Sequence, residues 1–213
     1  MIDLSLSLSL SLWCNLKSWC IFLTQCNLYT ARCLLTIMAK AKTSVFTLTH
    51  EMDIPTAVGT TSIPIGSLID VADAQALEIV SVDYVFQGYD TTNDVYLPSP
   101  DVLSTSPAGV TVQLTDRNTA KLISAADNNL ISSGFLGISG GGDIDNQSDI
   151  FPDDFKGDTG RFVVNDELYL TADNSTNYDA NRLLKVTVRI RAKVVKLTTR
   201  DWMAISLETV QNE

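Results

Sequence analysis

Two clusters of charge hold the side chains best suited to chemistry. The run Asp143-Ile144-Asp145-Asn146-Gln147-Ser148-Asp149 offers hard oxygen donors at alternate positions, as calcium prefers. Asp143, Asp145 and Asp149 are therefore the candidate ligands, and calcium is the only cofactor the sequence suggests. The run departs from an EF-hand loop, with Gln147 at the fifth position, Ser148 where glycine is needed and Asp154 at the twelfth. Its alternative reading is a solvated surface loop within a longer acidic stretch. From Asp143 to Asp179 there are ten carboxylates against Lys156 and Arg161.

The second cluster is basic. Arg182, Lys185, Arg189, Arg191, Lys193, Lys196 and Arg200 lie within 19 positions. In an extended strand Lys185, Arg189, Arg191 and Lys193 share one face, with alternate residues about 6–7 Å apart. Such a row suits phosphates, an acidic surface of the same or a neighbouring chain, or plain solvation. Single-stranded nucleic-acid sites usually add stacking aromatics, whereas the interleaved residue here is Thr187. Nucleic acid stays open as a partner, with a protein interface the better match. A strand loaded with Lys and Arg also resists edge-to-edge aggregation.

Catalysis finds little support, and the expectation is a protein that is not an enzyme. Acyl-transfer devices need an imidazole to carry the proton, and the one histidine, His50 beside Glu51, reads as a surface residue. Ser139-Gly140-Gly141-Gly142 lacks the Lys-Ser/Thr of a phosphate-binding loop and reads as a flexible connection. Glu78, Glu167 and Glu208 fall on expected strands with their side chains toward solvent.

The chain has 213 residues, 25 acidic and 15 basic, for a formal net charge of −10. Most of such a surface repels nucleic acid and anionic membranes, so a polyanion would have to meet a local basic patch. All four cysteines and two of three tryptophans precede Met38, in a segment opening with Leu-Ser alternation from Leu4 to Leu12. A CT repeat in DNA read in frame encodes that alternation, because CTC is Leu and TCT is Ser. Residues 1–37 are thus expected to be an upstream reading-frame extension, with the functional domain spanning 38–213. A secretory or targeting segment is the rival reading, although Asp3 and the lack of a basic residue before Lys17 are atypical of one. Lys17, Gln25, Asn27 and Arg32 interrupt every window long enough to cross a membrane. Without the segment the remaining 176 residues carry 13 basic and 24 acidic side chains and no cysteine.

Beyond Thr43 the hydrophobic period is two. Val45–Thr49, Glu78–Phe86, Val110–Thr115, Arg161–Val164 and Glu167–Thr171 read as strands. In the second of these Val80, Val82, Tyr84 and Phe86 share one face. Leu184, Val186, Val188, Ile190, Ala192 and Val194 alternate strictly with polar residues, as in a long strand buried on one side. The slip at Val194-Val195 suggests a bulge or bend there, and Trp202–Val210 reads as a last strand. Ile69–Leu77 and Thr119–Leu130 are expected to form short helices. Strands separated by Pro/Gly/Asp-rich loops, without βα alternation, predict an all-β fold: an antiparallel two-sheet sandwich of jelly-roll or Greek-key type with long loops.

With its short Lys-bearing arm Met38–Ser44, its long loops and its C-terminal pair Leu183–Lys193 and Asp201–Leu207, the stretch 38–213 resembles the single jelly-roll coat proteins of small icosahedral viruses. The resemblance implies a structural virion subunit that self-assembles into a homo-oligomeric shell, with calcium or complementary charge between subunits. Lys40 and Lys42 fall short of the long Arg-rich arm of many such coats, which weakens direct genome contact. The alternative from another class is a secreted carbohydrate-binding or adhesion sandwich using Tyr89, Tyr96 or Tyr178.

Overall fold

The computed structural model describes residues 39–102, 108–138, 144–147, 161–174 and 182–210. Residues 1–37, the triglycine loop, Asp143, Asp149 and Tyr178 lie outside the described residues. The strands are β1 (Lys40–Ala41), β2 (Phe46–Ile54), β3 (Gly59–Pro64), β4 (Gln75–Asp90), β5 (Val95–Leu97), β6 (Ala108–Thr115), β7 (Leu130–Ile138), β8 (Ile144–Gln147), β9 (Arg161–Val163), β10 (Glu167–Asn174) and β11 (Arg182–Lys196). Two helices, α1 (Ser99–Val102) and α2 (Thr199–Val210), accompany them.

The long alternating strand is the centre of one sheet. One edge of β11 pairs with β4 from Arg182 to Lys196, while its other edge takes β2 and then β1. The far edge of β4 carries β5 and β9. The second sheet runs β3-β10-β6-β7-β8, and the pairing in both sheets is antiparallel. Four pairs set the topology: β2 with β11, β3 with β10, β4 with β9 and β6 with β7. With β1, β5 and β8 as accessory strands, the first main strand meets the last, the second meets the last but one, and so inward. An antiparallel ribbon wound this way is a jelly roll, and the chain is an all-β jelly-roll sandwich.

Period-two patterning explains the layers. Leu184, Val186, Val188, Ile190 and Ala192 are at most 1% exposed, and they face Leu168, Leu170, Ala172, Val110, Val112 and Leu114 of the other sheet, all 0% exposed, in one core. Each of these larger side chains contributes on the order of 1.5–3 kcal/mol by leaving water. Tyr84 reaches across from the first sheet, and Gly134 on β7 makes room for it: a Cβ there would lie 2.7 Å from the Tyr84 ring.

Four local expectations are corrected. Trp202–Val210 is helical, part of α2. Thr198 starts this helix, accepting at Oγ1 from the Asp201 amide (3.2 Å) and at its carbonyl from the Trp202 amide (2.9 Å). The helix leaves Met203 and Leu207 exposed. Second, the bulge is not at Val194-Val195, where the ladder runs on unbroken. Register shifts between Arg191 and Ala192, so Val80 is the extra residue on β4. Leu77 and Ile79 therefore join the core, while Val80 leaves the face it was expected to share with Val82.

Third, Ile69–Leu77 holds only a single 3₁₀ turn, Val71–Asp73, which Asp70 caps and left-handed Ala74 (φ 51°) ends before β4 begins. Fourth, Thr119–Leu130 is a loop lying over the second sheet. Gln113 donates to the Ile123 carbonyl (3.0 Å) and accepts from the Ile123 amide (2.8 Å), as a neighbouring strand would. Asn118, Ser124 and Asp127 side chains accept local amides and compete with a helix for them.

Gly134→Ala should lower stability by about 1–3 kcal/mol through overpacking against Tyr84, although alanine ordinarily suits a strand interior better than glycine. Urea denaturation of the two chains measures the difference.

Candidate functional site: the charged outer face

The outward row of β11 is Lys185, Thr187, Arg189, Arg191 and Lys193, the stripe expected from the sequence. Cross-strand pairing places Asp53, Glu51, Thr49 and Thr47 of β2 on one side and Gln87, Val85, Asp83 and Ser81 of β4 on the other. The face is thus a mosaic of both signs.

Its cations divide into two groups. Lys185 Nζ is 2.8 Å from Glu51 Oε1 and 3.1 Å from Asp53 Oδ1, and it sits 4.5 Å above the centre of the Tyr89 ring. The hydrogen bond to Glu51 is the largest of the contacts that hold the Lys185 ammonium well above its ordinary pKa, and the same bond lowers that of Glu51. Tyr96 packs on Tyr89 with ring centres 5.3 Å apart and donates to Glu51 Oε2 at 3.2 Å. The two tyrosines therefore stand on β4 and β5 as part of the charged face. Lys193 Nζ lies 2.9 Å from Glu78 Oε1, and Glu78 is only 5% exposed, which corrects its expected solvent position. The neighbouring strand β9 explains the burial, since it places Phe162 directly opposite Glu78. Arg189 and Arg191 form the other group: both are exposed, and neither has an ion pair among the described residues.

At the foot of β11 a clasp holds the amino-terminal arm. Lys42 and Lys196 both contact the Asp73 carboxylate, with Lys196 the larger influence in holding its pKa well below the carboxylate range. Backbone bonds complete it, the Lys42 amide donating to the Val194 carbonyl at 2.8 Å and the Val194 amide to Thr43 Oγ1 at 2.9 Å.

A buried group that sequence reading passed over connects the two sheets. Asp116 follows β6 and is 1% exposed, with Arg161 of β9 in the other sheet 3.7 Å from its Oδ2. Among the described residues no other hydrogen-bonds to either carboxylate oxygen and none partners Arg161 Nε, while Arg161 Nη2 donates to the Asn128 carbonyl. Burial is the dominant influence and pushes the Asp116 carboxyl up to about 6, against the opposing pull of Arg161. Nothing in the spacing of Asp116 distinguishes it from the other carboxylates, because its burial comes from the loop folded over β6.

Of the calcium candidates, Asp143 and Asp149 lie outside the described residues, and Asp145 is placed on β8 opposite Gly137. Among the described residues no group of three or more His, Cys, Asp or Glu side chains is arranged to hold a metal ion. His50 is half-buried on the core side of β2, in the alternation with Leu48 and Met52, and its Nε2 is 3.4 Å from Thr61 Oγ1. It is not the surface residue expected. No described helix is long and apolar enough to cross a membrane.

No known family and no curated protein matches the chain. Among solved structures it is similar to that of Desmodium yellow mottle tymovirus, with 10% identity and a TM-score of 0.31 over 73% of this chain and 89% of that one. It is also similar to VP1 of Trichodysplasia spinulosa-associated polyomavirus in complex with 3'-sialyllactose, with 6% identity and a TM-score of 0.40 over 76% and 98%. Turnip yellow mosaic virus gives 14% identity and a TM-score of 0.28 over 70% and 94%. The class to which the chain belongs, the jelly-roll sandwich, rests on its own strand order.

Two predictions follow from the geometry. Lys193→Met removes the cation facing buried Glu78 and should cost about 1–3 kcal/mol, against no more than about 0.5 kcal/mol for Arg191→Ala at an exposed site. Chemical denaturation compares the two. Because the Asp116 pKa is raised on folding, the native state keeps a proton that the unfolded chain has lost between its ordinary value near 3.8 and about 6. This group's contribution to stability therefore falls as pH rises through that window and stays lost above it, by on the order of 3 kcal/mol. Asp116→Asn should remove that fall, read as the difference between wild-type and variant stabilities from pH 4 to 8.

Proposed function

We propose that residues 38–213 form the structural subunit of a virion, assembling with copies of themselves into a closed protein shell. The observation that carries this reading is the strand order: a jelly roll whose four main pairs run first-with-last to the centre, with no extra domain inserted among the described strands. Such a sandwich is rigid through its core and offers loops, sheet edges and one charged face for contacts with neighbours. The arm clasp at Lys42, Asp73 and Lys196 ties the chain's entry to the end of β11, so the arm leaves the body at a defined place.

Residues 1–37 are not needed in this reading, and the native subunit begins at Met38. The acidic stretch around Asp143, Asp145 and Asp149 is a place where calcium would strengthen contacts between subunits. Negative-stain electron microscopy of the purified full chain, across salt and with calcium or chelator, should show particles of uniform diameter. A monomer at high concentration under all these conditions overturns the proposal. Intact mass of the native product checks the start at Met38.

A further inference from the structure

We propose that the outer face of the sheet centred on β11 is a docking surface for a second copy of this chain, with Arg189 and Arg191 of one copy meeting carboxylates of the other. The inference deepens the shell reading above and rests on it, because it names one surface through which copies join.

Three observations carry it. First, Arg189, Arg191 and Asp83 stand on this face without an ion pair among the described residues. Lys185 is held by Glu51 and Asp53, and Lys193 by Glu78, whereas Arg189 and Arg191 are exposed with no ion pair among the described residues. Their cross-strand neighbours are Thr49 and Asp83 for Arg189 and Thr47 and Ser81 for Arg191, so Arg191 stands among hydroxyl residues while Arg189 forms no ion pair with the Asp83 beside it. Arginine presents a planar fork of donors suited to a partner's carboxylate.

Second, the face carries both signs. Exposed Glu51, Asp53 and Asp83 stand within one strand spacing of the cations. A phosphate chain laid across it meets these three carboxylates among the cations, while another face of the same mosaic offers each sign its opposite. This favours a second copy over nucleic acid, and a two-fold arrangement lets the same patch serve on both sides. Third, the chain supplies the partner chemistry itself: its formal net charge is −10, so acidic surface is abundant on any second copy. Val85, 41% exposed, stands beside Thr187 between Lys185 and Arg189 and gives the patch an apolar centre to cover.

The test compares the full chain with Arg189→Glu/Arg191→Glu and with the neutral pair Arg189→Gln/Arg191→Gln, by sedimentation velocity at low salt and at about 1 M salt. Circular dichroism and urea midpoints confirm that all three fold. The proposal expects self-association at least tenfold weaker in the reversed pair, an intermediate loss in the neutral pair, and weakening of the wild type by salt. Wild-type assembly with both variants unchanged overturns the docking surface and leaves the shell reading standing. A wild-type chain that stays monomeric overturns both. Titration with a fluorescent single-stranded RNA oligonucleotide separates the remaining case, in which the variants lose RNA binding but assemble normally, and that result also overturns the proposal.

Discussion

The use of both edges of β11 is the constraint on which the rest depends. A strand hydrogen-bonded along both sides cannot shift register without breaking two ladders, and a one-residue slip would turn its apolar row outward. With β11 so held, β2 and β4 become neighbours of the same strand although distant in sequence, and the Greek-key crossing follows.

The core and the outer face are two consequences of one alternation. Inward, small and branched aliphatic side chains meet the equivalent row of β10 and β6 across the sandwich. Outward, the same strand displays a line of cations, and the flanking strands determine which are neutralised. Where β2 supplies Glu51 and Asp53, or β4 supplies Glu78, a lysine is tied down. Where they supply hydroxyl residues, as beside Arg191, or an Asp83 that forms no ion pair with Arg189, the arginine is left available. That pairing is a property of register, which is why the functional character of the row belongs to the sheet more than to the strand.

The sandwich was legible in the sequence because period-two patterning survives in β11, β6 and β10, where one face is dry. It failed where tertiary context outweighed local pattern. Trp202–Val210 alternates well enough for a strand, yet Thr198 and Asp201 form a helix start that periodicity alone overlooks. Thr119–Leu130 has helical composition, but its Asn, Ser and Asp side chains bind their own backbone and Gln113 holds Ile123. On β4 a single extra residue at Val80 reversed the faces upstream of it, exchanging Ile79 for Val80 in the core and carrying Glu78 into a buried ion pair. Asp116 was invisible because its burial depends on a loop from one sheet and an arginine from the other.

The sequence by itself determined the all-β class, the single long buried strand and the concentration of positive charge on its outward side, since each is written in residue spacing along one element. Tertiary structure alone decided which strands flank it, which cations are paired, and which carboxyl has its pKa raised by burial. Those outcomes depend on side chains brought together from strands far apart in the chain, and their energies are set by burial and distance that no local pattern encodes.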